Sequence, residues 1–201
     1  MKCLFFDLEM ASCYGSKSKI CEFGFVVVDE NFEVLERGNY IINPNINKKD
    51  WDWYALKNIL TRKREFYEKE KDFTFFYYKI LKLINSVDYV FGHSIGGDAK
   101  ALNDECKRYH FPSIDFTFYD VKDFFKDYSG AKEDISVTNI LKSLQVEGDS
   151  NEHDAEADAY NTMLAFKAIC EKQSRTMLEE VKMCSRGKGM NKNYIVEYPK
   201  H

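Results

Sequence analysis

The sequence predicts an α/β fold: a mixed five-stranded sheet, its first three strands antiparallel, flanked by helices. Three observations predict it. Two long apolar runs fall within the first 30 residues, and "DENFE" (29–33) leads on from the second with a connection of hairpin length. Segments with helical spacing then alternate with short apolar runs, the order of a sheet covered on both faces. The chain has 201 residues, 44% hydrophobic and 31% charged, which allows one soluble domain with a sizeable core.

Each element has its own reason. "KCLFFDL" (2–8) is short, apolar and aromatic, which suits a buried strand, and a longer polar connection follows from Glu9 to residue 18. "KICEFGFVVVD" (19–29) is the second strand, and "VLERGNYIINP" (34–44) is the third, ended by Pro44. Residues 52–86 read as helical, with Phe76, Ile80, Leu83 and Ile84 forming an apolar stripe in "FTFFYYKILKLINS" (73–86). "DYVFGH" (88–93) is a fourth strand, followed by a helix from about Asp98 to Tyr109. "FTFYD" (116–120) is a fifth strand, and "SVTNILKSLQV" (136–146) is a helix capped by Ser136. A last long helix starts near His153, with Ala159, Met163, Phe166 and Cys170 as its buried stripe.

Composition excludes several classes. The longest apolar runs, such as "FGFVVV" (23–28), are too short to span a bilayer. Asp7 and Glu9 interrupt the first apolar stretch, so no secretory leader is expected. Six cysteines are scattered without a C-x-x-C pair, which predicts reduced thiols in a cytoplasm. A formal net charge of −4 argues against coating long nucleic acid by charge alone, but not against handling one strand end through metal ions. Two basic stretches, 56–71 and 185–201, suit either phosphate contact or ordinary solvated surface.

The acids carry the chemistry. Asp7 and Glu9 are two apart on or at the end of a strand and therefore point the same way. By themselves they could be a polar strand end. Asp98 follows the glycine-rich turn "FGHSIGG" and opens a helix, where an acid also complements the helix dipole. "HDAEADA" (153–159) places His153 at a helix mouth and Asp158 one turn inside, while Glu152, Asp154 and Glu156 serve the dipole. If Asp7, Glu9, Asp98 and Asp158 converge, their hard oxygen donors suit Mg²⁺ or Mn²⁺. Two such ions can clamp a phosphodiester, and a neutral histidine nearby can take a proton from the attacking water.

In this order and on these elements, the motifs resemble the DEDDh 3′–5′ exonucleases of the ribonuclease H-like superfamily. That family includes the proofreading subunit of bacterial replicative polymerase, RNase T and oligoribonuclease. The D-x-E motif is "FFDLEM", the second motif is "GHSIGGD", and H-x-A-x-x-D-A is "HDAEADA". The resemblance runs from about Met1 to Lys172, so residues 1–172 read as an exonuclease domain. Residues 173–201 read as a helix continuation to about Met183 and a basic tail. "DLEM" and "HSIGGD" are nearest to oligoribonuclease without assigning the substrate.

The resemblance implies roles. Asp7, Glu9 and Asp158 would hold the ion that carries the attacking water, Asp7 and Asp98 would serve the second ion, and His153 would be the general base. Glu22 would lie outside the metal site. The partner would be a single-stranded DNA or RNA 3′ end or a short oligonucleotide, and the product a nucleoside 5′-monophosphate. Ser94, Gly97 and Met10 stand where the family often has Asn, Phe and Thr. These departures spare the ligands but bear on how the terminal nucleotide is gripped, with Met10, His93 and Ser94 as candidate contacts. The competing readings are a non-catalytic nucleic-acid-binding or scaffolding module, and a nuclease on the same fold that cuts internally.

Overall fold

The computed structural model describes residues 1–12, 18–151 and 153–183. The basic tail, Glu152, Cys13 and Cys184 lie outside the described residues. Strand β1 (Lys2–Ser12) is the middle of the sheet, with β2 (Lys19–Asp29) antiparallel on one side and β4 (Tyr89–Gly92) parallel on the other. Strand β3 (Val34–Ile41) pairs antiparallel with β2, and β5 (Phe118–Asp120) pairs parallel with β4, giving the order β3-β2-β1-β4-β5. This is the mixed five-stranded sheet that the sequence predicts. Strand β1 outruns its expected end at Leu8, because the pairing with β2 continues through an irregular register beyond Glu9. Glu9 therefore sits inside the strand rather than opening a loop.

Side-chain alternation on β1 divides the core. Leu4, Phe6 and Leu8 face one way, onto α3 (Phe73–Asn85) and α4 (Gly96–Arg108). Cys3 and Phe5 face the other, onto α5 (Val121–Ser129), α6 (Val137–Leu144) and α7 (Ala155–Lys172). On that face Phe5 stacks on Phe91 at 4.9 Å between centroids, and Phe166 of α7 covers Phe91 at 4.8 Å. Burying each such ring stabilises the fold by roughly 1.5–3 kcal/mol. The stripes expected on α3 and α7 are buried in full.

Residues 52–86 resolve into three helices: α1 (Trp53–Asn58), α2 (Arg64–Tyr67) and α3. The first two close a small third cluster of Ala11, Cys21, Trp51, Ala55, Leu60 and Tyr67 over the end of β1. Helix α5 is absent from the sequence reading, though its signals are present. Asp120 caps its start, Gly130 ends it in the left-handed region (φ 72°), and Val121, Phe124 and Phe125 make its buried face. The expected continuation of α7 to Met183 is corrected. The helix stops at Lys172, Ser174 turns left-handed (φ 53°), and a separate α8 (Met177–Met183) follows. Met177 is buried in the α7-face core and buried Glu180 pairs with half-buried Arg175, so packing and this ion pair hold α8 back on the domain.

Among the described residues no helix is long and apolar enough to cross a membrane. Cys3, Cys21, Cys106 and Cys170 are buried free thiols.

Candidate active site

Asp7 and Glu9 continue the face of β1 that carries Cys3 and Phe5, the face covered by α7. Asp7 pairs in register with Gly24 and Glu9 with Glu22, and the register shifts between Glu9 and Met10. Such irregularities re-aim side chains beside functional sites. Gly24 lets α7 approach. A Cβ at that position would lie 1.9 Å from the carbonyl carbon of Ala155 and 2.1 Å from the amide nitrogen of Glu156. The absence of a side chain thus sets the first turn of α7 directly on β2 and brings Asp158 to the acids of β1.

His153 precedes that helix in the left-handed region, with φ 65°. Its amide donates to Asp158 Oδ2 at 3.1 Å, and Asp154 caps α7 by accepting from the Glu156 amide at 3.1 Å. Glu9, His153 and Asp158 each offer a ligand atom, and these atoms lie within 4.8 Å of one another. Glu9 is buried, Asp158 half-buried and His153 exposed. Asp98, in the first turn of α4, adjoins this group because β4 runs parallel to β1 and delivers the helix start to the same sheet end.

Electrostatics report the crowding. Burial, then the charges of Asp158 and Glu22, push the Asp7 carboxyl well above the usual carboxylate range. Burial, then Asp7, Asp158, Glu22 and Asp154, push Glu9 up to about 9. Burial, then Asp7, Glu9 and Asp120, raise Asp98 well above its ordinary value. Of the four acids, Glu9 and Asp158 alone place ligand atoms in the 4.8 Å cluster with His153, while Asp7, Glu9, Asp98 and Asp158 lie near enough for burial and mutual repulsion to dominate. A hard divalent cation would relieve both, and an oxygen-rich donor set with one imidazole fits it.

The remaining expected residues are placed as follows. His93 Nε2 donates to the Ile135 carbonyl at 2.7 Å, which ties the turn after β4 to the segment before α6. Ser94 is exposed and left-handed (φ 57°), and its amide donates to Asp120 Oδ1 at 2.9 Å. Both hold the turn that precedes Asp98. Met10 is half-buried and, with Leu8, Glu9, Asp52, Tyr54 and Ile59, lines a cavity of about 170 Å³ beside the acids. Glu22 is fully buried and its oxygens accept from Arg62, Tyr67 and Asn39.

Three features escape the sequence reading. Gly24 carries a signal, since a glycine inside an apolar strand marks a close approach. Tyr54 and Arg62 carry none, because their places depend on how α1 and α2 fold over the end of β1.

A family model described as exonuclease, RNase_T, matches residues 4–166. The chain belongs to this exonuclease family. It is therefore an enzyme that hydrolyses nucleic acid, and the DEDDh assignment drawn from the motifs is borne out. Comparison with curated proteins gives no match. Among solved structures, the exonuclease is similar to the nuclease domain of 3′hExo, a DEDDh family member bound to rAMP. The TM-score is 0.68 at 17% identity, over 86% of this chain and 92% of that one. It is also similar to E. coli Exonuclease I in complex with a dT13 oligonucleotide, with TM-score 0.68 and 17% identity over 86% and 42% of the two chains. Exonuclease X in complex with 5′ overhanging duplex DNA gives 0.59 at 13% identity over 92% and 99%. At these identities the likeness establishes the ribonuclease H-like exonuclease fold.

Proposed function

We propose that the protein is a 3′–5′ exonuclease that releases nucleoside 5′-monophosphates from single-stranded DNA or RNA or from short oligonucleotides. The observation that carries this reading is the cluster of Glu9, Asp158 and His153 with Asp7 and Asp98 beside it, on an exonuclease-family chain. Residues 1–172 form the catalytic domain. Buried free thiols suit a reducing cytoplasm as its place of work.

Asp7, Glu9 and Asp158 would hold one Mg²⁺ or Mn²⁺, and Asp7 with Asp98 the other. When bound, the two cations supply Lewis-acid activation of water and charge neutralisation at the scissile phosphate. His153 stands exposed at the mouth of the cluster with a ring nitrogen near the carboxylates, where it takes the proton from the attacking water. The Asp158 carboxylate fixes its backbone. Leu8, Met10, Tyr54 and Ile59 form an apolar wall next to Glu9, which receives the sugar or base of the terminal nucleotide. His93 and Ser94 hold the turn that leads to Asp98, where they would contact the terminal nucleotide.

Hydrolysis of 5′-labelled single-stranded RNA and DNA with Mn²⁺, Mg²⁺ or EDTA tests the reading. A ladder shortening from the 3′ end is expected, lost with EDTA and in Asp7→Ala and Asp158→Ala, with circular single strands left intact. Full activity in both variants, or cutting of the circle, would overturn it.

A further inference from the structure

We propose that Arg62 is a positioning residue for this reaction, holding the His153 turn against Glu9 and Asp158 by clamping Asp154 to buried Glu22. The proposal rests on the exonuclease reading above. Glu22 sits opposite Glu9 across the β1–β2 pair, with no exposure. A carboxylate there needs partners, since an uncompensated buried charge is strongly destabilising. Tyr67 Oη donates to its Oε1 at 2.5 Å, Asn39 Nδ2 to its Oε2 at 2.6 Å, and Arg62 Nη1 to its Oε1 at 2.7 Å.

The other arm of the guanidinium does something else. Arg62 Nη2 donates to Asp154 Oδ2 at 2.8 Å. Asp154 caps α7 through Oδ1, which also accepts from Asn39 Nδ2 at a long 3.3 Å, so the charged Oδ2–Arg62 contact is the shorter of the two links from Asp154 to the Glu22 cluster. The planar fork of arginine suits two acceptors on different elements. His153 is the next residue back, in a conformation that costs a non-glycine residue of order 1–3 kcal/mol unless its surroundings impose it. Its amide is tied to Asp158 on one side, and the Arg62–Asp154 bridge fixes the chain on the other. Arg62 also follows the segment whose Tyr54 and Ile59 line the cavity beside Glu9, so one side chain joins that wall to the histidine turn.

The test compares wild type with Arg62→Ala and Asp154→Asn. The second variant keeps the cap and the Glu22–Arg62 pair while turning an amide toward the guanidinium, so it folds even if the first does not. In metal-free protein without substrate, exchange of the His153 amide is expected to speed up about tenfold in both, the factor for losing one charge-assisted hydrogen bond. On a labelled oligonucleotide, kcat is expected to fall about 10–100-fold with KM nearly unchanged. Millimolar guanidinium should restore part of the Arg62→Ala loss. Unchanged amide exchange, or a wild-type kcat in a folded variant, overturns the clamp. A wild-type protein that hydrolyses no oligonucleotide sinks the exonuclease reading instead, while the amide exchange still decides the clamp.

Discussion

Gly24→Ala is the most direct perturbation of how the acids are brought together. The added Cβ would meet backbone atoms of Ala155 and Glu156 at 1.9–2.1 Å, where ordinary contact begins near 3.4 Å. Neither backbone can swing aside as a side chain would. Helix α7 must therefore retreat from β2 by about 1.5 Å, taking Asp158 and His153 with it. Overpacking of this kind costs about 1–3 kcal/mol, at the upper end here because the clash is with a helix start. A displacement near 1 Å at a reacting centre costs about 100-fold in rate. The expected result is a folded protein, less stable in urea, with kcat/KM on a labelled oligonucleotide down about 100-fold at a temperature where it is still folded. Gly97→Ala is the contrast. Nothing lies within 4 Å of its added Cβ, and it sits in α4, so a stability gain of about 0.5–1 kcal/mol is expected. Wild-type stability and activity in Gly24→Ala would refute the idea that this glycine sets the spacing between β2 and α7.

Other predictions follow from the same geometry. Between roughly pH 4.5 and 9 the folded Glu9 carboxyl keeps a proton that the unfolded chain has released, so its contribution to metal-free stability is fully present below this window and is lost as pH rises through it. Melting temperature against pH without divalent cations checks this, and a rise from pH 5 to 9 would contradict the crowding of Asp7, Glu9 and Asp98. Mn²⁺ at about 100 times its Kd should add about 2.7 kcal/mol, seen as a higher melting temperature, and Asp158→Asn should lose most of that gain. Tyr54→Ala should raise KM for an oligonucleotide by the equivalent of about 1–3 kcal/mol of base stacking, with a smaller effect on kcat; an unchanged KM would remove the cavity beside Glu9 from the substrate path.

Much of the fold is legible because it rests on local rules. Alternation on β1 puts Asp7 and Glu9 on one face, and a 3.6-residue stripe fixes which side of α7 is buried. Ser136 marks a helix start that depends on a few adjacent residues, and Gly130 carries the same kind of local signal for the end of α5, which the sequence reading passed over. The misses have physical causes as well. Strand β1 runs past Leu8 because β2 supplies partners, which a polar stretch does not announce. The break at Ser174 is set by Met177 and Glu180 packing back on the domain, while 173–183 alone reads as helix.

For the candidate site, the sequence by itself determined the chemistry on offer: which acids and which histidine, at which spacing, and the family those motifs resemble. Only the tertiary structure decided that they meet. The parallel pairing of β4 on β1 carries Asp98 to Asp7, and the bare backbone of Gly24 admits Asp158. Arg62 and Glu22 are 40 residues apart, and their link to Asp154 forms only when α1, α2, β2 and α7 are packed together. Spacing along a chain fixes neighbours on one element, whereas contact between elements follows from packing, to which every other residue contributes.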